Sequence, residues 1–248
     1  EKQNFKMKLL ELEKANPIIY GELKTPGAKR TLCFYVHYDG QPVNESKWAH
    51  EPFKPILYDG PIDAGGKPIR IPKNNNDIDP EWRLYARSAG DDKAPILTIL
   101  NAIDALKSSK IGITSNTKIF FEGEEESGSP SLVPFMRENA KELTADVAMI
   151  CDTGLFGDDT PGIVSRLRGL LGEELTITGP SKDLHSGMYG GPAMNPARVL
   201  AKIIAALHDD QGRITVPGFY DGVPELPPEI AAQWEGLNFD QDGFLGQV

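Results

Sequence analysis

The fold is decided by a stretch in which an apolar run gives way to a dense group of carboxylates: Phe120-Phe121-Glu122-Gly123-Glu124-Glu125-Glu126-Ser127-Gly128-Ser129. The apolar part ends a strand-like segment, and the serine-glycine part precedes a helix start. Four carboxylates within five residues repel one another at the mouth of a buried strand, and a bound metal cation is the usual way to offset that repulsion. The stretch therefore predicts a strand that delivers acidic ligands to a metal site.

Further candidate ligands stand where other predicted elements begin or end: His37, Asp39, Asp91, Asp92 and Asp152. The first two follow the apolar run 31–36, the aspartate pair precedes a helix pattern, and the last follows the apolar run 147–151. Strand ends converge on one crevice in an open α/β sheet, and ligands bind there. We therefore expect these side chains to meet at one edge of a sheet.

The composition excludes several classes of protein. A net charge of −10 argues against general binding to nucleic acid or to an anionic membrane, because both require a basic surface. No apolar run approaches the ~18 residues needed to span a bilayer, and no secretory signal is visible, which favours a cytoplasmic location. Cys33 and Cys151 lie in apolar runs and are interpreted as small buried hydrophobic residues, neither metal ligands nor a disulfide.

Strand and helix patterns alternate through the first part of the chain. Strands are predicted at 31–37, 117–121 and 146–151, helices at 3–15, at 92–108 and from Ser129-Pro130, and a loop insertion at 59–80. Asp91 or Asp92 is the expected N-cap of the 92–108 helix. The alternation predicts an α/β fold with a mainly parallel sheet flanked by helices.

The pattern changes after about residue 165, so two domains are predicted: a metal-binding catalytic domain at 1–165 and a partial α+β lid or dimerisation domain at 166–248. In the second, residues 173–178 alternate as a half-exposed strand does, and Asn195-Pro196 begins a helix with one apolar face. The tail from Pro217 onwards is rich in proline, glycine and aspartate, and no closing element is predicted there.

The candidate metal ligands are His37, Asp91, Glu126 and Asp152. Histidine and carboxylates without thiolates suit zinc, manganese or cobalt in a hydrolytic site, and two cations close together need a bridging carboxylate. Asp39 would share a strand face with His37, where it can accept the imidazole N–H and fix the tautomer. Glu125 neighbours a ligand and is placed to accept a proton from a bound water.

Each of these residues also has an ordinary interpretation. His37 could be a hydrogen-bonded histidine at a strand end, and Asp91 could be only a helix N-cap. The acidic run could be a solvated turn, and Asp152 could belong to a turn with Thr153 and Gly154. These interpretations are independent of one another, whereas a metal site accounts for all of the residues together. Their joint occurrence favours the metal site.

Four stretches carry a resemblance to a known family: Phe34-Tyr35-Val36-His37-Tyr38-Asp39-Gly40-Gln41-Pro42-Val43, Asp91-Asp92-Lys93, Glu122-Gly123-Glu124-Glu125-Glu126-Ser127-Gly128-Ser129 and Asp183-Leu184-His185-Ser186-Gly187-Met188-Tyr189-Gly190-Gly191. In this order they resemble the co-catalytic di-zinc exopeptidases, which include carnosine dipeptidases, glutamate carboxypeptidases, aminoacylases and succinyl-diaminopimelate desuccinylases. The resemblance runs from about residue 30 to 200, and the dipeptidase-like branch fits best. By this resemblance, the chain would correspond to roughly the first half of such an enzyme.

The resemblance implies how a complete active site would hold its two zinc ions. His37 and Asp152 would hold one zinc, and Glu126 would help to hold the other. Asp91 would bridge the two ions. The family's second zinc also takes a histidine from a late part of the catalytic domain, and the one histidine that follows His185 here, His208, lies on a lid helix that does not match that motif.

The resemblance also implies roles around the metals. Glu125 would act as general base and general acid, and Asp39 would orient His37. His185 would reach the active site of a partner subunit, help to bind substrate and stabilise the tetrahedral oxyanion. A homodimer formed through the lid domain is therefore expected.

The sequence departs from the family where glycine is usual, at Val36, Ala86, Ser88 and Ala94. Added Cβ atoms near a metal crevice would narrow it or shift the loop backbone. Three functions stay open. The first is hydrolysis of a peptide or amide bond in a small substrate by zinc-activated water, with Glu125 as general base. The second is deacylation of an N-acyl amino acid with the same residues and a different pocket. The third, favoured by the absent histidine and the replaced glycines, is a non-catalytic metal-binding or dimerisation fragment.

Overall fold

The structure is a computed structural model that describes residues 4–74, 78–154 and 160–246. By its internal contacts the chain separates into two compact units, Glu1–Leu167 and Arg168–Val248. The candidate metal ligands lie in the first unit and His185 lies in the second. The observed boundary stands two residues after the expected one, and the functions assigned to the two domains stay predictions.

The first unit contains the strands β1 (Lys6–Leu10), β2 (Ile18–Leu23), β3 (Thr31–His37), β4 (Ile56–Tyr58), β5 (Pro68–Ile69), β6 (Arg83–Tyr85), β7 (Asn116–Glu122) and β8 (Val147–Ile150). Five of them form one sheet in the order β1-β2-β7-β3-β8, and the other three form a small sheet in the order β5-β4-β6. In the larger sheet β3 pairs in parallel with both β7 and β8, whereas β1 and β2 extend one edge by antiparallel pairing. The parallel strands are those that carry the candidate site, because β3 ends at His37 and β7 ends at Glu122.

Helices α1 (Lys93–Ser108), α2 (Leu132–Glu138) and α3 (Ala140–Leu143) complete the first unit. One hydrophobic cluster joins α1 to the sheet through Ile99, Ile103, Val36 and Phe121. A second cluster joins α2 to the sheet through Phe135, Cys33 and Phe120. Neighbours such as Phe120 and Phe121 fall into different clusters because successive side chains of a strand point to opposite faces. Each cluster therefore packs a helix against the sheet, which confirms the predicted α/β class.

The predicted helix at 3–15 is wrong, since this segment contains strand β1. β1 pairs antiparallel with β2 from Lys6 opposite Glu22 to Leu10 opposite Ile18. Phe5 belongs to the first hydrophobic cluster and Leu10 packs against the second, as a strand that contributes to both faces allows. The helical spacing of apolar residues was outweighed by pairing with β2, a tertiary effect that routinely overrides local propensity.

Two other predictions shift while their elements remain. The helix expected from Ser129-Pro130 begins at Leu132, and Ser131 occupies its N-cap position. The insertion expected as a loop at 59–80 is largely irregular, yet it contains β5, which pairs antiparallel with β4. Residues 75–77 of this insertion lie outside the described residues. The predicted helix at 92–108 is confirmed as α1.

The second unit is helical in the part that the structure describes, with α4 (Ser186–Tyr189), α5 (Pro196–Ala206), α6 (Pro228–Gly236) and α7 (Gln241–Leu245). Asn195 caps α5 as predicted, since its side chain accepts hydrogen bonds from the N–H groups of Ala197 and Arg198. The strand expected at 173–178 is absent, because an alternating segment needs a neighbouring strand and none pairs with it among residues 168–246. The tail is not without structure either, because α6 and α7 lie within it. None of the described helices is both long and apolar enough to cross a membrane.

Candidate metal centre

Strand β3 delivers His37 to the edge of the sheet in an enclosed position. The His37 side chain is 1% exposed, its Nδ1 lies 3.3 Å from Asp39 Oδ1, and its Nε2 lies 3.0 Å from Asp91 Oδ1. Each ring nitrogen therefore faces a carboxylate. In a metal-binding histidine, one ring nitrogen usually donates its N–H to a carboxylate and the other ring nitrogen binds the metal.

Two more carboxylates converge on the same ring nitrogen. Glu125 Oε2 and Asp152 Oδ2 each lie 3.9 Å from His37 Nε2. One possible ligand atom from each of these three residues lies within 4.8 Å of the other two. A single imidazole N–H can serve only one of the converging oxygens, so negative charge remains that the ring does not neutralise. The donor set of nitrogen and oxygen without thiolate fits a divalent cation such as zinc, manganese or cobalt.

The carboxylates of the acidic stretch have different partners, because the short 3₁₀ turn Glu125–Ser127 lies within the stretch. Glu124 accepts hydrogen bonds from the backbone N–H groups of Asn16 at 3.1 Å and Ser131 at 3.3 Å. The bond from Asn16 is the main reason that the pKa of Glu124 lies below its usual value. Gly128 ends the turn at a φ of +85°, where glycine is favoured. Glu125, in contrast to Glu124, faces His37.

Glu126, a predicted ligand, makes other contacts in the structure. Its Oε1 accepts from the Gln41 backbone N–H at 3.1 Å, and its Oε2 accepts from Gln41 Nε2 at 2.6 Å. Its own N–H donates to Asp39 Oδ2 at 3.1 Å. The structure therefore brings together His37, Asp91, Glu125 and Asp152, and it connects Glu126 to them through Asp39. Which of these residues are ligands stays a prediction.

Asp92, which the sequence offered both as a candidate ligand and as a helix cap, contacts the backbone of His37 in the structure. It occupies the N-cap position of α1 but makes no capping bond there, and its Oδ2 instead accepts the backbone N–H of His37 at 3.2 Å. Asp92 is 2% exposed, and burial raises its pKa to about 6. The peptide bond between Asp91 and Asp92 is cis. The two adjacent aspartates were the signal in the sequence for this part of the site. The Asp91 carboxylate faces the His37 ring, and the Asp92 carboxylate accepts a hydrogen bond from the His37 backbone.

The surrounding carboxylates change the acid–base behaviour of the site. Burial lowers the pKa of His37, but the negative charges around it, that of Asp92 first among them, outweigh burial and raise the pKa overall. Burial raises the pKa of Glu125, and the charge of Asp152 adds to the rise while His37 opposes it. A carboxylate whose pKa is moved towards neutrality is suited to accept a proton and return it.

The positions where the family has glycine differ in their surroundings. Ser88 has a φ of +64°, a conformation that favours glycine, which accounts for the expected glycine at this position. A Cβ added to Gly40 would collide with Ser88 Oγ, so Gly40 leaves the room that the serine needs. Val36 is fully buried in the cluster with α1, on the opposite face of β3 from His37, so its side chain does not narrow the crevice.

The remaining histidines make local contacts. His185 stands at the N-cap position of α4, and its Nδ1 accepts from the Gly187 N–H at 3.1 Å. His208 forms an isolated bridge with Ile214. His50 Nε2 lies 2.9 Å from the Tyr58 hydroxyl. The role of His185 in substrate binding stays a prediction.

Residues 33–223 match the model of a protein family described as peptidase family M20/M25/M40. The chain belongs to this family. The matched range includes every candidate site residue discussed above, from His37 to His185. The predicted resemblance to di-zinc exopeptidases is thereby confirmed, and membership of M20 implies a divalent metal.

Individual relatives agree with the M20 assignment. The chain is 31% identical over 235 residues to the Cys-Gly metallodipeptidase dug1 of Schizosaccharomyces pombe, covering 94% of this chain and 45% of that protein. It is 28% identical over 231 residues to the human Beta-Ala-His dipeptidase, covering 92% and 41%. Among solved structures, the M20 family metallo-carboxypeptidase Sso-CP2 from Sulfolobus solfataricus matches with a TM-score of 0.63 and 32% identity, covering 97% of this chain and 52% of that chain. The chain thus spans about half the length of the relatives it matches.

Proposed function

We propose that this M20 chain supplies the metal-binding and general-base residues of a metal-dependent hydrolase that cleaves peptide bonds in small substrates such as dipeptides. The observation that supports the proposal is the convergence of carboxylates from Asp91, Glu125 and Asp152 on Nε2 of the buried His37. The names of two relatives, Cys-Gly metallodipeptidase and Beta-Ala-His dipeptidase, favour a dipeptide substrate.

Two zinc ions are the proposed metals, with manganese or cobalt as alternatives. His37 and Asp152 would hold one ion, and Asp91 would bridge to the second. Glu126 would help to hold the second ion after its carboxylate leaves Gln41. Bound metal would polarise the substrate carbonyl and lower the pKa of the attacking water.

The protein's own residues would then move the proton and hold the substrate. Glu125 would accept the proton of the attacking water and deliver it to the leaving nitrogen. Asp39 would hold Nδ1 of His37, so that Nε2 stays available as a ligand atom. His185 would stabilise the oxyanion in the partner subunit of a homodimer.

The test is hydrolysis of Cys-Gly and β-Ala-His by the purified full gene product, with N-acetyl amino acids as comparison substrates. We expect dipeptide hydrolysis that is lost on chelation and restored by zinc or manganese. Faster cleavage of N-acetyl amino acids would favour the deacylase. A protein that binds metal but cleaves neither substrate class would favour the non-catalytic alternative. Analytical ultracentrifugation of the same sample tests the homodimer.

A further inference from the structure

A buried carboxylate stands beside the candidate metal centre without a part in the proposed mechanism. Glu122 ends β7, is 2% exposed, and lies opposite His37 in the parallel pairing of β3 with β7. Side chains opposite one another on neighbouring strands share a face of the sheet, so the Glu122 carboxylate lies on the face of the His37 imidazole. Its buried Oε1 has no hydrogen-bond partner among the described residues.

The other oxygen of Glu122 is occupied by Tyr35. The Tyr35 hydroxyl donates to Glu122 Oε2 at 2.5 Å, a short hydrogen bond to a charged acceptor. Tyr35 stands two residues before His37 on β3, so the two side chains share a face. Burial is the main cause of the raised pKa of the Tyr35 hydroxyl, and the charges of Glu122, Glu125 and Asp152 add to it. The His37 ring, which shares this face with Tyr35, has the carboxylates of Glu125 and Asp152 at 3.9 Å from its Nε2.

A phenol has a single proton to donate. In the structure that proton goes to Glu122. Without this acceptor, the hydroxyl would need another one, and the candidates in the site are Glu125 and Asp152, which each lie 3.9 Å from Nε2 of the His37 ring. A hydrogen bond from Tyr35 to either one would occupy a lone pair that metal binding or proton transfer requires.

We propose that Glu122 is a positioning residue that captures the Tyr35 hydroxyl and so keeps the carboxylates of Glu125 and Asp152 free for the metal and for proton transfer. This inference rests on the proposed metal site. It differs from a purely structural role, in which Tyr35 and Glu122 would only strengthen the ends of β3 and β7. The two roles predict different zinc affinities for the variants below.

The test measures the zinc affinity of the intact chain by competition with a chromophoric chelator. Glu122→Leu removes the acceptor and leaves Tyr35 with a free donor, so we expect zinc binding to weaken about tenfold, as for loss of other outer partners of a metal site. Glu122→Gln keeps an acceptor oxygen for Tyr35 and should stay within about threefold of wild type. Adding Tyr35→Phe to Glu122→Leu removes the free donor and should restore the affinity.

Tyr20→Phe is the matched control, because Tyr20, like the partly buried Tyr35, donates its hydroxyl to an oxygen within the first unit, here the Glu142 carbonyl at 3.0 Å. It should lower thermal stability without changing zinc affinity. Wild-type affinity in Glu122→Leu, or a double variant as weak as Glu122→Leu, would overturn the proposal. If Glu122→Leu does not fold, the zinc affinity of Tyr35→Phe is measured instead. This variant has no hydroxyl that could bind Glu125 or Asp152, so a tenfold loss of zinc affinity would contradict the proposed role of Glu122. A wild-type chain that binds no zinc would instead overturn the proposed metal site.

Discussion

The end of β3 and the second unit differ in how their polar groups are held. At the end of β3, the His37 side chain is 1% exposed and both ring nitrogens face carboxylates. In the second unit, none of the described residues from 168 to 246 is buried, and the hydrogen bond made by His185 reaches only two residues along its own turn. Packing on both faces of a sheet thus encloses the candidate metal ligand His37, whereas His185 has no such support among the described residues of its unit.

The largest expected effect concerns metal binding, which we expect to depend on the first unit and not on the second. The double variant His37→Ala/Asp152→Ala should lower zinc affinity by roughly 100-fold or more, because even outer partners of ligands contribute about 10- to 100-fold. His185→Ala should bind zinc as the wild type does. Metal analysis after dialysis measures both. An equal loss of zinc in the two variants would contradict this difference between the two units.

Turnover should depend on Glu125 by roughly 10²-fold or more, the usual contribution of a general acid–base group. Glu125→Gln removes the proton acceptor with little change of shape, and zinc content should stay the same. Steady-state kinetics and metal analysis of the full gene product check the two parts. Glu138→Gln, an exposed position on α2, is the control and should keep full turnover. Loss of zinc together with turnover would instead make Glu125 a ligand, as its 3.9 Å distance from His37 Nε2 allows.

The buried Asp92 should make the metal-free protein less stable as pH rises. Its folded-state pKa, about 6, lies above the ordinary value of 3.8, so the carboxyl binds a proton more tightly in the folded state. Its contribution to stability is therefore fully present below about pH 4 and is lost as pH rises through about 6, by at most about 3 kcal/mol. Asp92→Asn should remove this part of the pH dependence while it keeps an acceptor for the His37 N–H.

Denaturant unfolding between pH 4 and 7 measures the effect. Asp146→Asn is the matched control, because Asp146 accepts the backbone N–H of Thr31 at the other end of β3 but is exposed. It should leave the pH dependence unchanged. An unchanged slope in Asp92→Asn would show that burial of this carboxyl does not govern the stability of the site.

The smallest expected effect concerns the backbone beside the site. Ser88→Gly relieves the left-handed φ of +64°, a conformation unfavourable for serine by about 1–2 kcal/mol, but it adds flexibility to the unfolded chain. The expected net result is a stabilisation of about 0.5 kcal/mol. Ala86→Gly adds the same flexibility without relief, because Ala86 is not among the residues with positive φ, and it should destabilise. Denaturant unfolding measures both changes. A change in the free energy of unfolding with the same sign in both variants would contradict the explanation from backbone strain.

Runs of apolar residues allowed the sequence to predict β3, α1, β7 and β8, because their patterns are local. The strands β3 and β7 are largely buried, α1 buries Ile99 and Ile103, and β8 is apolar although its residues are exposed. The same reasoning failed for β1, whose conformation depends on pairing with β2, and for 173–178, with which none of the described strands pairs. The candidate residues at the ends of these elements could be predicted for the same reason. The contact of Asp92 with the His37 backbone could not, because it joins residues 55 positions apart.

The sequence by itself determined that histidine and carboxylates stand at strand ends and a helix start, and it predicted that they form one metal site. Only the tertiary structure decided which of two adjacent glutamates faces His37. Glu125 and Glu126 differ by one position, and their directions follow from the turn that Gly128 ends and from the hydrogen bonds that Gln41 gives to Glu126. Gln41 lies 85 positions away in the chain, so spacing alone contains no information about it. The direction of a side chain in a turn depends on such distant partners, whereas the end of a buried strand is visible in the local pattern.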